Sequence, residues 1–172
     1  MEKSLEELIS LSKIRSAVIR VSNLIFLGKS KDVSGPWAVS FLESAGSLVC
    51  GTNQVPDEIS DIQQAIWRVI RENGAQLVVV IGGTGLSSQD VTPEAVEEIC
   101  DFVIPGFGEC FRLEASRQTS VGWLSRAMGA LIERSIILVL PGNLEAVKHG
   151  LNAVSSFLPQ AIRSAQEGGP GE

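Results

Sequence analysis

The stretch LVVVIGGTGLSSQDVTP, residues 77–93, holds the residue types in this chain best suited to chemistry. An aliphatic, β-branched run ends in Gly82-Gly83-Thr84-Gly85, a polar loop carries Asp90, and Thr92-Pro93 opens a helix. Glycines at a strand end let the backbone approach a ligand closely and expose amide N–H groups as anion donors. A carboxylate beside a bound anion repels it unless it holds a divalent cation, which reverses the local field. Mg²⁺ takes one or two protein carboxylates, phosphate oxygens and several waters. The segment is therefore expected to bind a phosphorylated ligand, with Asp90 on the cation. The alternative at this point is that Asp90 closes a turn or caps the helix near Thr92.

The elements that must position these residues follow from periodicity. Ala17 to Val21, Ser47 to Val55, Gln76 to Ile81 and Ser135 to Leu140 read as strands, the last two buried on both faces. Helices are expected from Gly35-Pro36 to Ser44, after Pro56-Asp57, from Thr92 to about Asp101, over Cys110 to Ala115 and Gly122 to Ala130, and from Leu144 to Phe157. The second has the clearest pattern: Ile62, Ala65, Ile66, Val69 and Ile70 share one face, and Asn73-Gly74 ends it. Asp57 just ahead of it is either a site carboxylate or its N-cap. Ser22 to Ser34 and Ile104 to Glu109 read as loops. Strands alternating with helices predict an α/β fold, a three-layer α/β/α sandwich around one mostly parallel sheet. A single pocket at the strand ends is expected to collect the loops Gly82 to Asp90, Pro105 to Glu109 and Pro141 to Asn143.

At 172 residues and 44% hydrophobic, the chain fits one domain. Residues 1–15 read as a helical extension (Ser4 to Ser12, with Ser4 and Glu7 at capping-box spacing), 16–160 as the domain, and 161–172 as a flexible tail. A net charge of −6 with no basic stripe argues against nucleic acid. No apolar run reaches membrane-spanning length and no signal peptide is visible, so a cytoplasmic protein is expected. Cys50, Cys100 and Cys110 lack metal-ligand spacing and read as buried free thiols. Trp37, Trp67 and Trp123 read as core or subunit contacts, and the lone His149 as a solvent-facing helix residue.

Several short motifs, taken in order, resemble one family. They are VS at Val21-Ser22, Asp32 with Ser34-Gly35-Pro36, VPDE at Val55 to Glu58, GGTG-x₄-DVTP, and IPGFGE followed by Phe111-Arg112. LSR at Leu124 to Arg126 and LPG at Leu140 to Gly142 complete the set. The combination resembles the molybdopterin-binding, MoaB/MogA-like family of molybdenum cofactor biosynthesis. The resemblance implies adenylyl transfer from Mg-ATP to the terminal phosphate of molybdopterin, with release of pyrophosphate. It implies catalytic and metal-binding roles for Asp57 and Asp90. It also implies substrate or phosphate contacts at Ser22, Gly82, Gly83, Thr84, Gly85, Pro105, Gly106, Gly108, Glu109, Ser125, Arg126, Pro141 and Gly142. A homo-oligomer (a trimer or hexamer) and a molybdenum-insertase partner are implied as well. For single residues the residue-level alternatives stand: Glu109 as a helix-start carboxylate, Arg126 as a surface arginine.

Two positions depart from the family's pattern. Asn23 follows Ser22 where an acidic residue is usual, and Glu145 stands where a lysine is usual, a reversal of sign near an anion site. Lys29 and Lys31 are candidates for the missing positive charge, and Ile25, Phe26 and Leu27 for packing on the N-terminal helix. The alternative function is a carrier of the same family that binds molybdopterin without turnover.

Overall fold

The computed structural model describes residues 11–167. Six strands form one sheet: β1 (Arg15–Val21), β2 (Leu48–Val55), β3 (Leu77–Ile81), β4 (Phe102–Val103), β5 (Met128–Ile132) and β6 (Ser135–Leu140). Among the described residues seven α-helices accompany them: α1 (Asn23–Phe26), α2 (Ser34–Ser44), α3 (Ile59–Arg71), α4 (Thr92–Glu97), α5 (Pro105–Gln118), α6 (Leu144–Val154) and α7 (Leu158–Glu167). The strand order is β2-β1-β3-β6-β5-β4. The four strands from β2 to β6 run parallel, while β5 is antiparallel to both β6 and β4.

Side chains alternate along each strand and so build two cores. Ala17, Ile19, Val21, Val78 and Val80 face α3 and α4, whose Ile62, Ile66, Ala95 and Val96 are fully buried. Val18, Val79, Ile81, Leu138 and Leu140 face α2, α5, α6 and α7. This is the expected three-layer sandwich. α3 buries the five apolar residues its spacing predicted and ends where Gly74 takes φ +66°, its N–H donating to the Ile70 carbonyl at 3.1 Å.

Several local expectations are corrected. The segment Ile104 to Glu109 is not a loop: Pro105 opens α5, where a residue without an N–H costs nothing, and Phe107 and Phe111, one turn apart, are buried. Gly122 to Ala130 is not a helix: a 3₁₀ turn (Ser120–Leu124) precedes β5. The β5–β6 hairpin turns at Glu133, whose φ of +54° comes without glycine. Asp101 accepts the Glu133 N–H at 2.7 Å, and Arg71 donates to the Glu133 carboxylate at 2.8 Å. Tertiary partners thus hold a turn that lacks the usual Asn-Gly signature.

The expected loop after Ser22 contains α1, where Ile25 is buried but Phe26 and Leu27 are exposed. The last expected helix, Leu144 to Phe157, is α6 and ends at Val154; a further helix, α7, follows it and runs through Glu167 with Ile162 buried. The part of the expected flexible tail from 161 to 167 is therefore helix. The N-terminal helix falls mostly outside the described residues, and Leu11 and Ser12 at its end are not helical. Cys50, Cys100 and Cys110 are free but only half-buried.

Candidate functional site

The strand order places β1 and β3 side by side, with their connections leaving in opposite directions. Crevices at such switch points, outside the carboxyl ends of the strands, are where open α/β sheets hold ligands. Here the carboxyl ends are Val21-Ser22 and Ile81-Gly82, flanked by Pro141-Gly142 after β6. A cavity of about 380 Å³ lies over them, bounded by Arg20, Val21, Ser22, Asp57, Gly82 to Gly85, Asp90, Pro141 and Gly142.

The glycines are dictated by closeness. Gly82 has φ +116°, and a Cβ there would lie 2.2 Å from the Val21 carbonyl oxygen. Gly83 has φ +65°, and a Cβ would lie 2.2 Å from Thr92 Oγ1. Asp90 folds back over the loop: its Oδ2 accepts the Ser87 N–H at 3.1 Å and packs against Gly85. It closes the turn with one oxygen, as the turn reading of Asp90 expects, and its Oδ1 has no partner among the described residues. Asp57 is not the cap of α3. Glu58 occupies that position, without a side-chain bond. Asp57 Oδ2 instead accepts the Asn23 N–H at 2.7 Å, and Asn23 Oδ1 accepts the Asp57 N–H at 3.1 Å. Asn23, the departure from the usual acidic residue, thus locks Asp57 at the cavity. Ser22 caps α1, its Oγ accepting the Ile25 N–H at 3.4 Å.

The expected single pocket is three adjoining hollows. Thr84 and Gly85 divide the small cavity from an apolar one of about 660 Å³, which also reaches Phe111, Ser125, Leu140, Glu145 and His149. A third hollow, about 610 Å³, contains Pro105, Gly108, Glu109, Ser125, Arg126 and Trp123. Glu109 and the PGFGE motif therefore sit beyond Arg126 from the two aspartates, and Gly106 is exposed outside all three. Trp123 is 56% exposed, not a core residue of the chain, and His149 is half-buried in the apolar cavity wall.

Arg126 is neither a free surface arginine nor an unoccupied donor. Its Nε donates to the Gly85 carbonyl at 2.9 Å, its Nη2 to the Asp90 carbonyl at 2.5 Å, and its Nη1 to the Glu94 carboxylate. It reaches them because β5 is antiparallel: Met128 pairs with Val139, so the residues just before β5 return to the carboxyl end of β6. Arg112 in turn donates to the Ala127 carbonyl at 3.0 Å, which fixes the segment carrying Ser125 and Arg126.

Electrostatics modify one departure. Glu145 pairs with Lys148 at 2.8 Å, and this bond, with the lysine's charge, holds the Glu145 carboxyl below its usual range. The reversed sign is offset locally. Arg20, which sequence reasoning did not single out, lines the cavity floor; burial lowers its pKa against the opposing pull of Asp32 and then Asp57. Its signal was present as a lone charge in the apolar strand AVIRV.

Asp57 and Asp90 are two carboxylates on one cavity, and no group of three or more metal-binding side chains exists among the described residues. That donor set fits a Mg²⁺ ion whose shell is completed by substrate phosphate and water. No helix among the described residues is long and apolar enough to cross a membrane.

A mostly parallel sheet with a crevice at its strand ends and helices on both faces defines a single α/β domain of the doubly wound kind. The profile described as "Probable molybdopterin binding domain" matches residues 17–160, and the chain belongs to that family. It is 34% identical over 143 residues to the molybdopterin adenylyltransferase of Haemophilus influenzae, covering 82% of this chain and 73% of that one. It is 33% identical to molybdenum cofactor biosynthesis protein B of Bacillus subtilis, covering 90% and 89%. The chain spans only 48% of the related bifunctional molybdenum cofactor biosynthesis protein of Synechococcus elongatus, at 34% identity. It likewise spans 26% of the cinnamon protein of Drosophila melanogaster. Among solved structures, MoaB of Thermus thermophilus superposes with a TM-score of 0.84 at 32% identity, covering 90% of this chain and 98% of that one.

Proposed function

We propose that the chain is a molybdopterin adenylyltransferase acting in molybdenum cofactor biosynthesis. The observation that carries this reading is the cavity at the β1/β3 switch point. There Asp57 and Asp90 flank a glycine loop whose other side faces a larger apolar hollow. Relatives at 31–34% identity bear that enzyme's name.

In this reading the terminal phosphate oxygen of molybdopterin attacks the α-phosphorus of ATP. The bond from that phosphorus to the bridging oxygen of the β-phosphate breaks, and pyrophosphate leaves with the electron pair. Two anions must meet, so positioning and charge neutralisation carry most of the rate. Backbone N–H groups of Gly83 to Gly85 offer donors to phosphate oxygens. The apolar hollow accepts a ring system, with Ser125 at its edge. Arg126 acts here by holding Gly85 and Asp90 in place, and Glu109 meets only the part of a ligand that extends past Arg126. Asp57 and Asp90 would hold Mg²⁺, which when bound would supply positive charge to offset that of the phosphates. A trimer or hexamer, an insertase partner and a cytoplasmic setting belong to the same reading.

The test incubates the purified protein with molybdopterin, ATP and Mg²⁺ and looks for adenylylated pterin and pyrophosphate. Product is expected. Tight pterin binding without product would overturn the enzyme reading in favour of a carrier. Asp90→Asn is expected to lower kcat on the order of 100-fold or more while circular dichroism stays unchanged. Normal turnover in that variant would end the metal role.

A further inference from the structure

Arg20 stands on the β1 face that Val18 also occupies, opposite α2 and α6, with its side chain only 11% exposed. Its Nε lies 3.2 Å from Asp32 Oδ1, itself 8% exposed, and its Nη1 donates to the Ile81 carbonyl at 2.8 Å. Nη2 donates to no described residue. The guanidinium runs between two glycines: a Cβ on Gly82 would lie 2.8 Å from Nη1, and one on Gly142 would lie 3.0 Å from Nη1 and 3.2 Å from Nη2. Ser34 Oγ holds that second glycine by donating to the Gly142 carbonyl at 2.9 Å. Both glycines border the cavity that contains Asp57 and Asp90.

We infer that Arg20 forms an anion subsite on the cavity floor, with Nη2 donating to a phosphate oxygen of the ligand. The inference deepens the function proposed above and rests on it for the identity of the phosphate as part of a nucleotide or of pyrophosphate. A buried arginine used only to tie strand ends together would spend all its donors on protein. This one leaves a charged donor unspent beside two carboxylates that would otherwise repel any phosphate. Its planar fork is held by the Nη1 bond to the Ile81 carbonyl and by the ion pair with Asp32, to which Nε makes no hydrogen bond, so part of the ordering entropy is already lost before binding. Lys29 and Lys31 are exposed in the segment after α1 and do not border the cavity, so they do not supply this charge.

The test titrates pyrophosphate, with Mg²⁺ present, into the full chain and three variants by calorimetry, with Tm and the KM for ATP measured alongside. Arg20→Met is expected to weaken pyrophosphate binding 10-fold to 100-fold, about what loss of one charge-assisted hydrogen bond produces, and to raise the KM for ATP. Arg20→Lys keeps the charge against Asp32 but loses the fork, and is expected to fold and recover part of the affinity. Asp32→Asn removes the ion pair that steadies the fork and spares Nη2: it is expected to lower Tm and to weaken pyrophosphate binding by clearly less than Arg20→Met does.

Arg20→Lys binding pyrophosphate as tightly as the parent, or a folded Arg20→Met doing so, overturns the subsite. So does an Asp32→Asn variant that loses as much affinity as Arg20→Met, because the role is then structural. Arg20-dependent pyrophosphate binding in a protein that makes no adenylylated pterin upholds the subsite and removes the enzyme. Normal product formation with Arg20→Lys at an unchanged KM for ATP does the reverse.

Discussion

At the scale of single residues, the site is organised by two kinds of constraint: glycines that make room and side chains that hold backbone. Gly83→Ala is expected to cost about 1–3 kcal/mol in urea unfolding. The new Cβ adds a left-handed conformation unsuited to alanine to a collision with Thr92 Oγ1. A wild-type midpoint would show that the loop relaxes freely. Arg126→Ala removes three bonds to the loop and α4 at once. Its expected signature is a lower kcat with faster hydrogen exchange at the amides of Gly85 to Asp90 (a purely ligand-contacting arginine would change KM and leave the exchange alone). The motif residues themselves were legible in the sequence. Whether Arg126 touches ligand or loop was not, because that depends on which carbonyls lie within reach once β5 turns back.

At the scale of elements, α3 illustrates a segment whose sequence and structure agree. Ile66→Ala on its buried face is expected to destabilise the protein by about 2–5 kcal/mol with activity per folded molecule unchanged, since the face points at the sheet and away from the cavity. Two features that sequence reading missed are stabilised by distant partners. The β5–β6 turn depends on Asp101 and Arg71, and two-residue β4 exists only through its pairing with β5.

The first turn of α6 carries a pH prediction. Lys148 lowers the Glu145 pKa in the folded state, so the folded chain binds this proton less readily than the unfolded one. The resulting stabilisation is present above the unfolded carboxylate value. It is lost as pH falls through the lower folded value. Glu145→Gln is therefore expected to flatten the acid limb of a Tm-against-pH curve slightly. The group is fully exposed, so the change is small and fades in high salt.

At the scale of the whole molecule, the sheet order decides what meets what. Placing β1 beside β3, with β6 next, gathers strand ends from residues 21, 81 and 140 around one cavity. Two of the half-buried thiols, away from that cavity, respond to burial in the packed fold. Burial raises the pKa of both Cys100 and Cys110, so they stay protonated near neutral pH. Their contribution to stability is present below the unfolded thiol value and is lost as pH rises through the folded one. Alkylation by iodoacetamide at pH 8 is expected to be slower for both in the native protein than in urea. Equal rates would show that the native environment does not suppress the thiolates.

The amino-acid order alone determined the layered α/β class, the amphipathic faces, the glycine turn and the pair of aspartates. Each of these is set by spacing along the chain or by a conformation that one residue type allows. Tertiary structure alone decided that Asn23 grips Asp57, that three hollows meet where one was expected, and that Arg20 has a donor left over. Those facts depend on distances between residues far apart in the chain, such as 20 and 142 or 23 and 57. Only the packed sheet brings these within a few ångströms.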